Sequence, residues 1–80
     1  MSKSTLKPLL RTNFAENVRS FRTALRVSQE GLAELAGFHR TYVSQVERGV
    51  ANITLDNIEK LALALNVKPA ALLEPAAIRN

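Results

Sequence analysis

Ala33 is followed by Gly37 four residues on, by Val43 six residues further and by Val46 three beyond that. This spacing leaves the chain few ways to fold. Alanine is small enough to let two helices cross closely. Glycine takes the left-handed backbone that ends one helix and turns the chain, and the two valines close the inner face of a second helix. Around that corner the stretch QEGLAELAGFHRTYVSQVER, residues 29–48, reads as two short helices with a tight turn at Phe38 and His39. Ser28 is the expected N-cap of the first, its hydroxyl accepting from an amide of the first turn. Gly31 occupies the third helical position, so no capping box forms.

The second helix, Arg40 to Arg48, has two unlike sides at about 100° per residue. Tyr42, Val43, Val46 and Glu47 share one side, and Arg40, Thr41, Ser44, Gln45 and Arg48 share the other. That second stripe holds no carboxylate, no Lys and no large apolar group. A solvated face ordinarily interleaves acidic residues with Lys. A rigid rod of Arg, Gln and hydroxyl groups instead suits the DNA major groove, where guanine offers acceptors to Arg and adenine a donor–acceptor pair to Gln.

On these residues the segment resembles the helix-turn-helix of phage Cro and repressor proteins, the XRE family. FHRTYVSQVERGVANITLDNIEKLALAL is most similar to the controller proteins of restriction–modification operons, and the resemblance runs from about Phe14 to Leu73. It implies an all-α, compact five-helix, lambda-repressor-like domain. It also implies that Gln29, opening the first helix of the motif, touches the DNA backbone, and that Arg22 and Glu47 form a structural ion pair. Asn52 matches a residue that hydrogen-bonds phosphate, the plainer alternative being an Asn that closes its own turn. Two positions depart from the family pattern: Gly31 stands where an acidic residue is common, and Lys68 where a capping Ser or Thr is common.

The flanking sequence divides into a basic arm (1–12), the domain itself (13–74) and a tail (75–80). The arm carries Lys3, Lys7 and Arg11 without an acid. With Pro8 discouraging helix, it reads as a disordered terminus or, alternatively, as an arm following phosphates or the minor groove. Asn13 to Arg26 predicts a helix capped by Asn13, with Phe14, Val18, Phe21 and Leu25 as its core stripe. Arg19 and Arg26 fall on a solvated edge. Arg22 is assigned to Glu47, because a free carboxylate beside the recognition helix would repel phosphate.

Gly49 to Ile53 reads as a loop, and Thr54 as the cap of a helix over Leu55–Leu65. Leu55, Ile58, Leu61, Ala62 and Leu65 form its apolar face, and Asp56 lies favourably against the helix dipole. Pro69 suits the first position of a last helix reaching Leu73, and Pro75 ends it. The resemblance places the twofold dimer interface here, on Val67, Pro69, Ala70, Leu72 and Leu73. The alternative is that Leu72 or Leu73 completes the monomer core.

A chain of 80 residues makes one domain with a small core, and without Cys it has neither disulfides nor thiolate metal sites to stiffen it. That favours a partner subunit. The net charge of +4 is uneven: residues 13–50 hold five Arg against four Glu, and the basic excess lies in the N-terminal half. No apolar run approaches the roughly 18 residues a membrane span needs, and no signal-peptide core is present, so the expected location is the cytoplasm, without membrane contact. His39 has no second ligand or carboxylate partner at useful spacing and reads as a turn residue or helix cap. No phosphate-cradling glycine loop or nucleophile elbow occurs. No enzymatic activity, cofactor, metal or small-molecule effector is therefore expected.

The partners expected are double-stranded DNA and a second copy of the chain, acting on a near-palindromic operator to regulate transcription. Arg40 is the guanine reader, with Thr41, Ser44 and Gln45 adding base contacts. Gln29, Tyr42 through its hydroxyl, Arg48 and Asn52 take the DNA backbone. The resemblance implies a controller of a restriction–modification operon. The alternatives are a phage-type repressor, or an antitoxin whose main partner is a toxin.

Overall fold

The computed structural model describes residues 9–75, and these form five helices: α1 (Leu9–Ala24), α2 (Gln29–Ala36), α3 (Arg40–Glu47), α4 (Leu55–Leu65) and α5 (Pro69–Leu73). No strand occurs among the described residues. Lys3 and Lys7 of the arm and residues 76–80 of the tail lie outside them. The helix starts follow side-chain chemistry. The Ser28 hydroxyl accepts from the Gly31 amide at 2.9 Å, and the Thr54 hydroxyl accepts from the Asn57 amide at 3.1 Å, each satisfying a donor that the first turn leaves unpaired.

The ends of α1 to α4 share one device. A residue with positive φ follows each helix: Arg26 (59°), Gly37 (79°), Gly49 (74°) and Asn66 (60°). The amide after it reaches back five residues, from Val27 to Arg22, Phe38 to Ala33, Val50 to Gln45 and Val67 to Ala62, at 2.8–3.2 Å. This closure satisfies orphan carbonyls and folds the next side chain under the helix. Val27, Phe38 and Val67 accordingly pack against the core, whereas Val50 stays exposed.

Helix α1 packs against α3, α4 and α5, while α2 crosses α3 and α4. Phe14 and Val18 of α1, Leu32 and Ala33 of α2, Val43 and Val46 of α3, and Ile58, Leu61 and Leu65 of α4 meet in one buried cluster. Burying a Leu, Val or Phe stabilises by about 1.5–3 kcal/mol, and this cluster fixes how α2 and α3 are held.

Four expectations are corrected. Helix α1 begins at Leu9 rather than at Asn13, so residues 9–12 are not part of an extended arm. Proline restricts the residue before it rather than those after it, and the extra turn has tertiary neighbours, because Leu10 and Arg11 line a groove with Ala51, Asn52 and Ile53. Leu25 is not in the core stripe but 49% exposed, because α1 has already ended and Val27 takes the inward place. Leu55 is 81% exposed; it is the first residue of α4 and stands at the edge of the apolar stripe, flanking the same groove. Leu72, expected at a dimer interface, is fully buried within the single chain and offers a partner no surface.

Beside Leu72 lies a residue that the apolar pattern passes over. Asn17 is fully buried, and its side-chain amide donates to the carbonyls of Leu72 at 2.9 Å and Glu74 at 2.7 Å. It ties the five-residue α5 to α1 and satisfies two carbonyls at the end of α5. The signal was present in the spacing, since Asn17 stands between Phe14 and Val18 on the buried face, but its polarity masked it.

Candidate nucleic-acid interface

Three residues, Gly37 to His39, separate α2 from α3. Val43 and Val46 anchor α3 by its inner face, both buried. On its outer face Arg40, Thr41, Gln45 and Arg48 are exposed and Ser44 is half-buried. The structure therefore brings these five side chains onto one rigid surface. His39 precedes α3 with extended backbone and makes no side-chain capping bond. The α3 start is instead secured through its carbonyl, which accepts from the amides of Tyr42 and Val43.

Glu47 is the one carboxylate on α3, and it is neutralised in place. Arg22 donates from Nε to Oε2 at 2.6 Å and from Nη2 to Oε1 at 3.0 Å, a bidentate fork. Its remaining Nη1 donates to the Val27 carbonyl at 2.8 Å. Gln29 adds a bond from its amide to Oε1 at 3.0 Å. The Arg22 and Glu47 side chains are only 13% and 3% exposed. The hydrogen bond that Arg22 donates to Glu47, with the carboxylate's charge, raises the Arg22 pKa above the ordinary arginine value against the opposing effect of burial. With the folded value above the unfolded one, the arginine's contribution to stability, which requires Glu47 to be ionised, is lost on the alkaline side only in strong alkali.

Tyr42 sits half-buried between core and surface. Its ring leans on Phe38, centroids 4.8 Å apart, and Lys60 lies over Phe38 at 5.8 Å. The Tyr42 hydroxyl accepts from the Asn57 side-chain amide at 3.0 Å. Nothing in the spacing announced Asn57, because it lies on a different helix.

In the loop after α3, Asn52 is exposed, and its Oδ1 accepts from Arg11 Nη2 at 2.6 Å. The sequence places Arg11 in a basic arm; the structure puts it on α1, against this loop. Val67 and Leu73 are half-buried and Pro69 and Ala70 exposed, so these four remain as surface near α5. Among the described residues, no three His, Cys, Asp or Glu side chains cluster as a metal site, and no helix is long and apolar enough to cross a membrane.

The Helix-turn-helix family (HTH_3) matches residues 18–72. Control protein C.SmaI of Serratia marcescens is 48% identical over 66 residues, covering 82% of this chain and 79% of that protein. Control protein C.BamHI of Bacillus amyloliquefaciens is 46% identical over 72 residues, covering 89% of each. The fold is similar to that of the restriction–modification controller protein C.AhdI from Aeromonas hydrophila, with a TM-score of 0.75 and 48% identity over 78% of this chain and 94% of that one.

Proposed function

Since the chain belongs to the helix-turn-helix family, we propose that it is a transcriptional regulator that binds a near-palindromic DNA operator as a homodimer and controls a restriction–modification operon. The observation that carries this reading is the outer face of α3, where Arg40, Thr41 and Gln45, with Arg48 at the C-cap, stand exposed on a helix pinned to the core by Val43 and Val46. Its similarity to control proteins over most of its length supplies the operon class. The chain acts without enzymatic chemistry, in the cytoplasm, where its DNA lies.

Arg40 reads guanine, with Thr41, Ser44 and Gln45 adding base contacts, each good bidentate pair supplying about 1–3 kcal/mol of discrimination. Gln29, Tyr42, Arg48 and Asn52 orient the protein on phosphates without reading sequence. Gln29 spends one amide hydrogen on Glu47 and keeps one for a phosphate. One recognition helix specifies few base pairs, so a second copy is needed. Val67, Pro69, Ala70 and Leu73 form its contact, and two copies set half-sites about 34–36 Å apart, one turn of DNA.

The test is selection of bound duplexes from a random library, with sequencing. A twofold-related site one turn across is expected. Arg40→Ala should lose discrimination at one position per half-site, whereas Gln29→Ala should weaken all sequences alike. Equal losses on selected and random duplexes for Arg40→Ala would remove Arg40 as the base reader, and no enriched sequence at all would sink the operator reading.

A further inference from the structure

We propose that Arg11 and Asn52 form a single phosphate-binding site, assembled from the first turn of α1 and the loop after α3, that grips the DNA backbone beside the recognition helix. This rests on the DNA-binding reading above and adds to it a contact from a helix outside the motif. The two residues lie 41 apart in sequence, yet Arg11 Nη2 donates to Asn52 Oδ1 at 2.6 Å with both side chains exposed. Packing fixes where they meet, because Leu10 and Phe14 on the same helix share a groove with Ala51 and Ile53 on either side of Asn52.

The chemistry of the pair is one-sided. Asn52 has a single side-chain carbonyl, and Arg11 occupies it, which turns the Asn52 NH2 group away from the guanidinium with its two donors. The guanidinium has five N–H donors and spends one on this bond. What remains is a fork of donors, positively charged, whose one carbonyl is already engaged. Such a group suits an oxyanion with several acceptors, as a phosphate has.

Two observations argue against a purely structural role. The first turn of α1 holds no acidic residue, and the one ion pair among the described residues is Arg22 with Glu47, so no carboxylate among the described residues claims Arg11. An arginine in the first turn also opposes the helix dipole, which favours acids there; helix stability does not account for it.

The experiment measures binding of the full chain to a random-sequence duplex across a salt series, for wild type, Arg11→Gln and Arg11→Lys, with melting temperatures for each. A random duplex isolates phosphate contacts from base reading. The expected result is that Arg11→Gln melts like wild type but flattens the slope of log affinity on log salt by about 0.9 for each copy of Arg11 engaged. It should weaken random and selected duplexes by the same factor, while Arg11→Lys keeps most of the slope. An unchanged slope in Arg11→Gln overturns the site, whether affinity is kept or is lost along with melting temperature, the latter meaning that Arg11 only props the loop. Wild type that binds no duplex overturns the DNA-binding reading itself, a result distinct from both.

Discussion

Glu47 shares α3 with Arg40 and is followed by Arg48 at the helix end, yet its carboxylate is taken by Arg22 and Gln29. With the Glu47 side chain 3% exposed, Arg22→Ala strands a buried charge on one remaining amide bond. The expected cost is about 3–5 kcal/mol, a large share of the roughly 5–15 kcal/mol that holds a domain together. Urea unfolding should show a sharply lower midpoint; a midpoint near wild type would mean that the pair is screened as surface pairs are. At this scale the sequence was informative wherever residue type and helical phase combine, as for Val43, Val46 and the Arg40 stripe. It was silent on contacts between distant segments. Nothing local in Arg11 or Asn57 points to Asn52 or Tyr42, because those bonds exist only after α1 and α4 have docked.

Elements were legible through their ends. Ser28, Thr54 and Pro69 each mark a start by a local mechanism, and Gly37 and Gly49 each mark a stop. Thr54→Ala should cost about 1 kcal/mol through loss of the bond to the Asn57 amide. Thermal melts of Thr54→Ala and Thr54→Ser test this, with Ser expected to keep most of the stability; equal losses would assign the effect to the methyl group. Gly31, where the family commonly has an acid, has a structural reason of its own. A Cβ there would stand 2.9 Å from Val27 Cγ1, and Val27 is a stiff, β-branched side chain turned inward by the end of α1. The stop of α1 was not legible, because Arg26 adopts the left-handed conformation (φ 59°) without the glycine that would announce it. Leu25 was misplaced for the same reason.

For the whole molecule the question is how a five-residue α5, the helix proposed to meet a second copy, is kept in place. Leu72 anchors it from below, and Asn17 holds its last carbonyls from α1. Asn17→Ala removes both hydrogen bonds and leaves the carbonyls unpaired beside the core, at about 1–3 kcal/mol for a buried unsatisfied group. Its dimer should also weaken. Sedimentation alongside denaturation checks both, and a variant as stable and as dimeric as wild type would show that Asn17 is not needed to hold α5. By itself the sequence determined that the chain is all-α, with α2 and α3 meeting at Gly37 and a donor-rich stripe on α3, since capping, helical period and glycine geometry act over a few residues. Only the tertiary structure decided which of Leu55 and Leu72 is buried, that α1 reaches back to Leu9, and that Arg11 meets Asn52. Those outcomes depend on surfaces formed when segments far apart in the chain pack together, and no local periodicity encodes them.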